Sequence, residues 1–146
     1  MQLVTRHAVD MHSPRIDACG PRVLFVSSYT PRKCGIATFT EDLRDAYDAL
    51  AGANSAVIAI NEPNGRHRYP SFVTEQIDRD DAASYRAAAR YANASGADVV
   101  NIQHEYGLFG GRRGSLLSEF LRELRVPAVI TLHTTITDPD VETVWV

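Results

Sequence analysis

The chain has 146 residues, 45% of them hydrophobic and 23% charged, with a net charge of -3. That length suits one domain with a proper core, and the mild acidity gives no reason to expect nucleic acid or an anionic membrane as the main partner. Cys19 and Cys34 make neither a disulfide framework nor a metal knuckle, so Cys34 is expected as a free thiol in a reducing compartment.

In chain order, MQLVTRHAVDMHSPRIDACG alternates polar and apolar residues without the apolar core of a signal peptide. It reads as a loose leader, residues 1–20, before a domain spanning 21–146. No later run approaches a membrane span, so the protein is expected in the cytoplasm with no transmembrane segment. RVLFVSS, from Arg22 to Ser28, is a β-branched and aromatic run that predicts a strand buried on both faces. Ile36, Phe39, Leu43, Tyr47 and Leu50 then recur at helical spacing, and Gly52 closes the pattern.

SAVIAI, from Ser55, predicts a second buried strand, Asn61 to Pro70 a polar loop, and FVTEQI, from Phe72, a weaker strand near a sheet edge. Asp80 or Asp81 can cap an Ala-rich helix that runs to about Asn93 and stops at Gly96. ADVVNIQ, from Ala97, predicts another buried strand, and GLFGG, from Gly107, a flexible turn. Leu116, Leu117, Phe120, Leu121 and Leu124 make one apolar helix face, and VPAVITLH is the last predicted strand. The order β-α-β-β-α-β-α-β predicts an α/β, Rossmann-like, doubly wound and mostly parallel sheet. The chain reaches Trp145 and Val146 soon after a strand with no closing helix, and the domain reads as incomplete at its C-terminus.

Ligands in such sheets bind beyond the carboxyl ends of the strands, near the point where strand order reverses. Three segments leave strands there: SYTPRKCGIATFT, HEYGLFGG and HTTITD. They are expected to gather Arg32, Lys33, Gly35, Thr38, His104, Glu105, Tyr106 and His133 on one rim. Gly35 would let backbone approach a ligand at a helix start, with Arg32 and Lys33 adding positive charge, as suits a phosphate or a hydroxyl-rich anion. Equally, Gly35 would only make a tight turn while Thr38 and Glu41 form a capping box.

No GxGxxG, P-loop, HExxH or GxSxG pattern occurs, and no ligand spacing supports a metal site. For any one of His104, Glu105 and His133 a hydrogen-bonded rim residue is the ordinary reading, but together they raise the case for a substrate site. Cys34 beside Lys33 at a helix start is either a thiol of lowered pKa or a small buried side chain.

PRKCGIATFTEDL, VVNIQHEYGLFGG and VPAVITLHT resemble, in the same order, the N-terminal half of glycosyltransferase family 4, most closely its mannosyltransferase-like members. The resemblance covers about Arg22 to Pro139. It implies a retaining GT-B enzyme that transfers a hexose from a nucleotide-sugar donor to a glycan or lipid-linked acceptor, with no metal or other cofactor. It also implies that Gly35 lies close to the donor's phosphates and that His133, with Thr134 beside it, points into the cleft towards the transferred sugar. The segment from His104 to Gly111, with Gly107, Gly110 and Gly111, would line the acceptor side. Members of the family also work beside the inner membrane face.

Where many relatives have paired glycines, this turn reads Cys34-Gly35. The family's C-terminal domain grips the nucleotide with a Glu, seven residues, Glu motif, which does not occur here. The resemblance therefore implies half an enzyme, inactive alone, whose second domain is supplied in cis or in trans. The alternative is a stand-alone sugar- or phosphate-binding module without catalysis.

Overall fold

The structure is a computed structural model that describes residues 20–63, 65 and 67–136. The leader as far as residue 19, Cys19, and the segment from 137 to the final Trp145 and Val146 lie outside the described residues.

The segments read as strands form five, β1 (Val23–Ser27), β2 (Ala56–Asn61), β3 (Val73–Asp78), β4 (Val99–His104) and β5 (Ala128–Leu132), of which β3 is mostly polar. They make one sheet in the order β3-β2-β1-β4-β5, and every pairing is parallel. The chain moves outward from β1 to β3 at the edge, then crosses back to place β4 on the other side of β1. Strand order therefore reverses between β1 and β4, which opens a crevice above their carboxyl ends.

Three helices connect the strands: α1 (Gly35–Ala51), α2 (Ala82–Ala94) and the short α3 (Leu117–Glu123), which follows a 3-10 turn at Arg112–Gly114. Helix α1 ends as its sequence predicts, with Gly52 in the left-handed region at φ 62 and its N–H bonded to the Asp48 carbonyl. Helix α2 starts at Asp81, whose side chain accepts from the Ala83 N–H. Among the described residues, no helix is long and apolar enough to cross a membrane.

Alternation along the strands divides the core in two. Leu24, Val26, Ile58, Ile60, Ile77, Val100 and Ile102 face α2 and α3, and pack on Tyr85, Ala88, Ala89, Ala92, Leu117 and Phe120. Phe25, Val57 and Ala59 face the other way with Tyr29, and Leu43 and Tyr47 of α1 pack against them. Burying each such large side chain contributes about 1.5–3 kcal/mol.

Three expectations need correction. The buried stripe of α1 is Ala37, Thr40 and Arg44, while Phe39 is 44% exposed and Leu50 89%. Arg44 displaces the expected apolar pattern because its charge is satisfied inside. Its Nε donates to the Ser55 carbonyl (2.8 Å), it pairs with Asp45 (2.9 Å) and Asp48 (3.1 Å), and its guanidinium lies 3.7 Å over the Phe72 ring. The capping box is not formed, because Cys34 is the N-cap residue and Glu41 accepts instead from the Thr30 hydroxyl at 2.7 Å. The GLFGG segment is packed rather than loose, with Leu108, Phe109 and Gly110 buried.

Candidate functional site

The β1–α1 turn forms the near wall of the crevice. The Thr30–Pro31 peptide is cis, and the Tyr29 carbonyl accepts from the Arg32 N–H at 3.1 Å. Arg32 does not point into the turn's mouth. Its Nη1 donates to the Ile60 carbonyl (3.1 Å) and its Nε pairs with Glu62 (2.9 Å), so its charge is anchored at the end of β2. Lys33 and Thr38 are exposed.

Cys34 adopts an extended backbone at the helix entry. Burial opposes ionisation of its thiol. The N–H groups of Ala37 and Ile36, the Ser28 hydroxyl 3.6 Å away and the Arg32 charge outweigh it, so the pKa falls below that of an ordinary cysteine.

Gly35 opens α1, and among the described residues nothing stands within 4 Å of where its Cβ would be. Its φ does not lie in the left-handed region, so neither backbone strain nor crowding within the chain requires a glycine here. Gly107 in the β4 loop has the same open surroundings.

The far wall comes from the ends of β4 and β5. The His133 N–H donates to the His104 carbonyl (2.9 Å), which continues the ladder past Leu132. Glu105 ties the two strand ends together, accepting from the Tyr106 N–H at 3.0 Å and from the Thr134 hydroxyl. The His133 ring lies edge-on to Phe39 of α1, with centroids 4.8 Å apart, so His133 closes against the first turns of α1.

His104 and His133 were expected together, and the structure separates them. Pairing of His104 with Leu132 puts His104 on the α2/α3 side of the sheet, where it stacks on Phe109 at 5.6 Å and meets Tyr106 edge-on at 5.2 Å. There it borders a groove of 470 Å³, lined also by Leu117, Leu121, Ile130 and Leu132. Burial lowers the His104 pKa and keeps the ring neutral, the Glu105 charge opposing and the His133 ring assisting. His133 lies on the α1 side. A single residue step along a strand end turns a side chain to the opposite face.

The glycines of the β4 loop also divide. Gly107 is exposed, whereas a Cβ on Gly110 would stand 1.8 Å from the Arg79 carbonyl oxygen, so this glycine serves close backbone packing. Gly111 has φ 76 and makes the turn into the 3-10 segment.

The residues that converge at the switch point are therefore Cys34, Gly35, Phe39, Glu105, His133 and Thr134. The sequence reading missed Gln103, whose carbonyl oxygen lies 2.8 Å from His133 Nε2. The alternation of Asn101 and Gln103 with Val100 and Ile102 was the available signal. Among the described residues, no three His, Cys, Asp or Glu side chains stand close enough to share a metal ion. Comparison with family models, with curated proteins and with solved structures found no match to the chain.

Proposed function

We propose that this chain is the acceptor-side half of a retaining GT-B glycosyltransferase of family 4, acting in hexose transfer from a nucleotide sugar to a glycan or lipid-linked acceptor. The observation that carries this reading is the empty space in front of Gly35. A glycine that the fold itself does not need, at the start of a 17-residue helix and at the switch point, suits the close approach of a ligand. The helix dipole favours negative charge there, with the exposed Lys33 adding to it. His133 and Thr134 stand across the crevice as polar groups for sugar hydroxyls.

This surface is one wall of a cleft. Transfer needs the leaving diphosphate stabilised as its charge grows, and donor and acceptor held together away from water. The nucleotide grip would come from a second wall, in cis or in trans. The purified 146-residue chain is accordingly expected to transfer no sugar alone, and robust transfer would overturn the half-enzyme reading.

Substitution at Gly35 tests the site directly. Because the surrounding space is open, Gly35→Ala should leave the fold intact and raise helix stability by up to about 1 kcal/mol. Binding of a sugar phosphate or nucleoside diphosphate sugar, followed by amide NMR shifts, should weaken about tenfold, or about 1.4 kcal/mol. Unchanged binding by Gly35→Val would sink the assignment.

A further inference from the structure

Strand β4 carries two amides on the face it turns to the α1 side. Gln103 is fully buried. Its Nε2 donates to Asn101 Oδ1 and lies 3.4 Å from Thr131 Oγ1, while its Oε1 is 2.8 Å from His133 Nε2. The parallel ladder makes this possible, since Gln103 pairs with Thr131, two residues before His133. The backbone bond from His133 to the His104 carbonyl and the edge contact with Phe39 hold the ring from two further sides.

A buried amide has two protons to place and one oxygen to satisfy. In the arrangement above, the protons face Asn101 and Thr131, and the oxygen accepts from the ring. Turning the amide over would offer one proton to the ring and leave the other without a partner in a side chain that has no exposure. An unsatisfied buried donor costs about 1–3 kcal/mol, enough to decide between the two orientations.

We propose that Gln103 is a positioning residue: it fixes the neutral His133 ring with its hydrogen on Nε2. The lone pair on Nδ1 then accepts a hydrogen bond from a hydroxyl of the bound sugar. Nδ1 has no hydrogen-bond partner among the described residues. The two ring nitrogens point in nearly opposite directions, so anchoring Nε2 in the sheet turns Nδ1 away from it. The part played by the sugar rests on the function proposed above; the control of the tautomer does not.

The test is the two-bond proton–nitrogen NMR spectrum of the imidazole side chains in the full chain, recorded at alkaline pH where the pattern no longer changes with pH. His133 is assigned by the signals lost in His133→Asn. The wild-type chain should show the Nε2–H pattern, and Gln103→Met should lose it to a tautomer-averaged one. A wild-type Nδ1–H pattern overturns the inference whether or not any variant folds, and so does a Gln103→Met spectrum like wild type.

A titration of the same sample with methyl mannoside and with a nucleoside diphosphate sugar then separates the two claims. Movement of the Nδ1 resonance supports both. A chain that keeps the Nε2–H pattern and binds no sugar overturns the ligand role and the function above, while the tautomer control stands.

Discussion

Gly110→Ala is the substitution whose effect can be worked most fully from the structure. A Cβ there would stand 1.8 Å from the Arg79 carbonyl oxygen, 2.7 Å from its carbon and 3.0 Å from Asp80 Oδ1, whereas ordinary contacts lie at 3.4–4 Å. The neighbour is backbone, so the β4 loop and the β3–α2 turn would have to part. Forcing an extra methyl into packed structure costs about 1–3 kcal/mol.

Parting also stretches a bridge through Tyr85, whose hydroxyl donates to the Arg79 carbonyl and accepts from the Gly110 N–H, both at 2.9 Å. Each such bond contributes about 1 kcal/mol. The stiffer unfolded chain returns about 0.4–1 kcal/mol. The net loss should be about 2–4 kcal/mol, against a total stability of roughly 5–15 kcal/mol.

Urea unfolding followed by circular dichroism should show the midpoint falling by about 1–2 M with an unchanged slope. In a Tyr85→Phe background the added loss should be smaller, because the bridge is already gone. A midpoint shift under about 0.3 M would refute the steric account.

Three further outcomes follow from the same geometry. The His104 pKa is depressed by burial, so as pH falls the unfolded chain takes up the proton first. Stability should therefore be full above the ordinary value of 6.5 and decline below it; urea midpoints between pH 8 and 5.5 should fall less in His104→Gln than in wild type, and equal falls would contradict this. In a Cys19→Ser background, Cys34 should react with iodoacetamide with a pH midpoint below that of a free thiol, moving upward in Ser28→Ala; a midpoint at or above the ordinary value would exclude the local stabilisation of its thiolate. Arg44→Met should destabilise by about 1–3 kcal/mol, since it removes the charge-assisted bonds to Ser55 and Asp48 while Asp48 keeps those from the Ser55 N–H and hydroxyl, and a calorimetric melt unchanged within about a degree would show that the pair contributes nothing.

Much of this fold was legible because β1, β2 and β5 are apolar runs and the helix ends carry their own signals. Gly52 and Asp81 act where the sequence placed them, since a left-handed C-cap and an N-cap side chain are local devices. The buried face of α1 was legible only in part: Ile36, Leu43 and Tyr47 pack on the core, but its fully buried stripe is Ala37, Thr40 and Arg44. Nothing in the apolar spacing of α1 points to Arg44, because its partners Ser55, Asn54 and Phe72 come from the segments just before β2 and β3.

The candidate site was half legible for the same reason. Its three segments were identified from strand ends, but the face each histidine takes depends on the pairing of β4 with β5. The anchoring of Arg32 depends on Glu62 of another loop. Gly35 and Gly110 look alike in sequence, and only their surroundings tell the open position from the crowded one.

The two amides on β4 also guard against a misfolded sheet. Sliding β4 by one residue against β1 would carry Asn101 and Gln103 onto the α2/α3 face, among Val26, Ile58 and Phe120, and turn Val100 and Ile102 to the α1 face. Each amide buried there without a partner costs about 1–3 kcal/mol. The side chains that hold His133 thus also penalise the nearest competing alignment, so β4 can find its place between β1 and β5 although its apolar neighbours would accept several offsets.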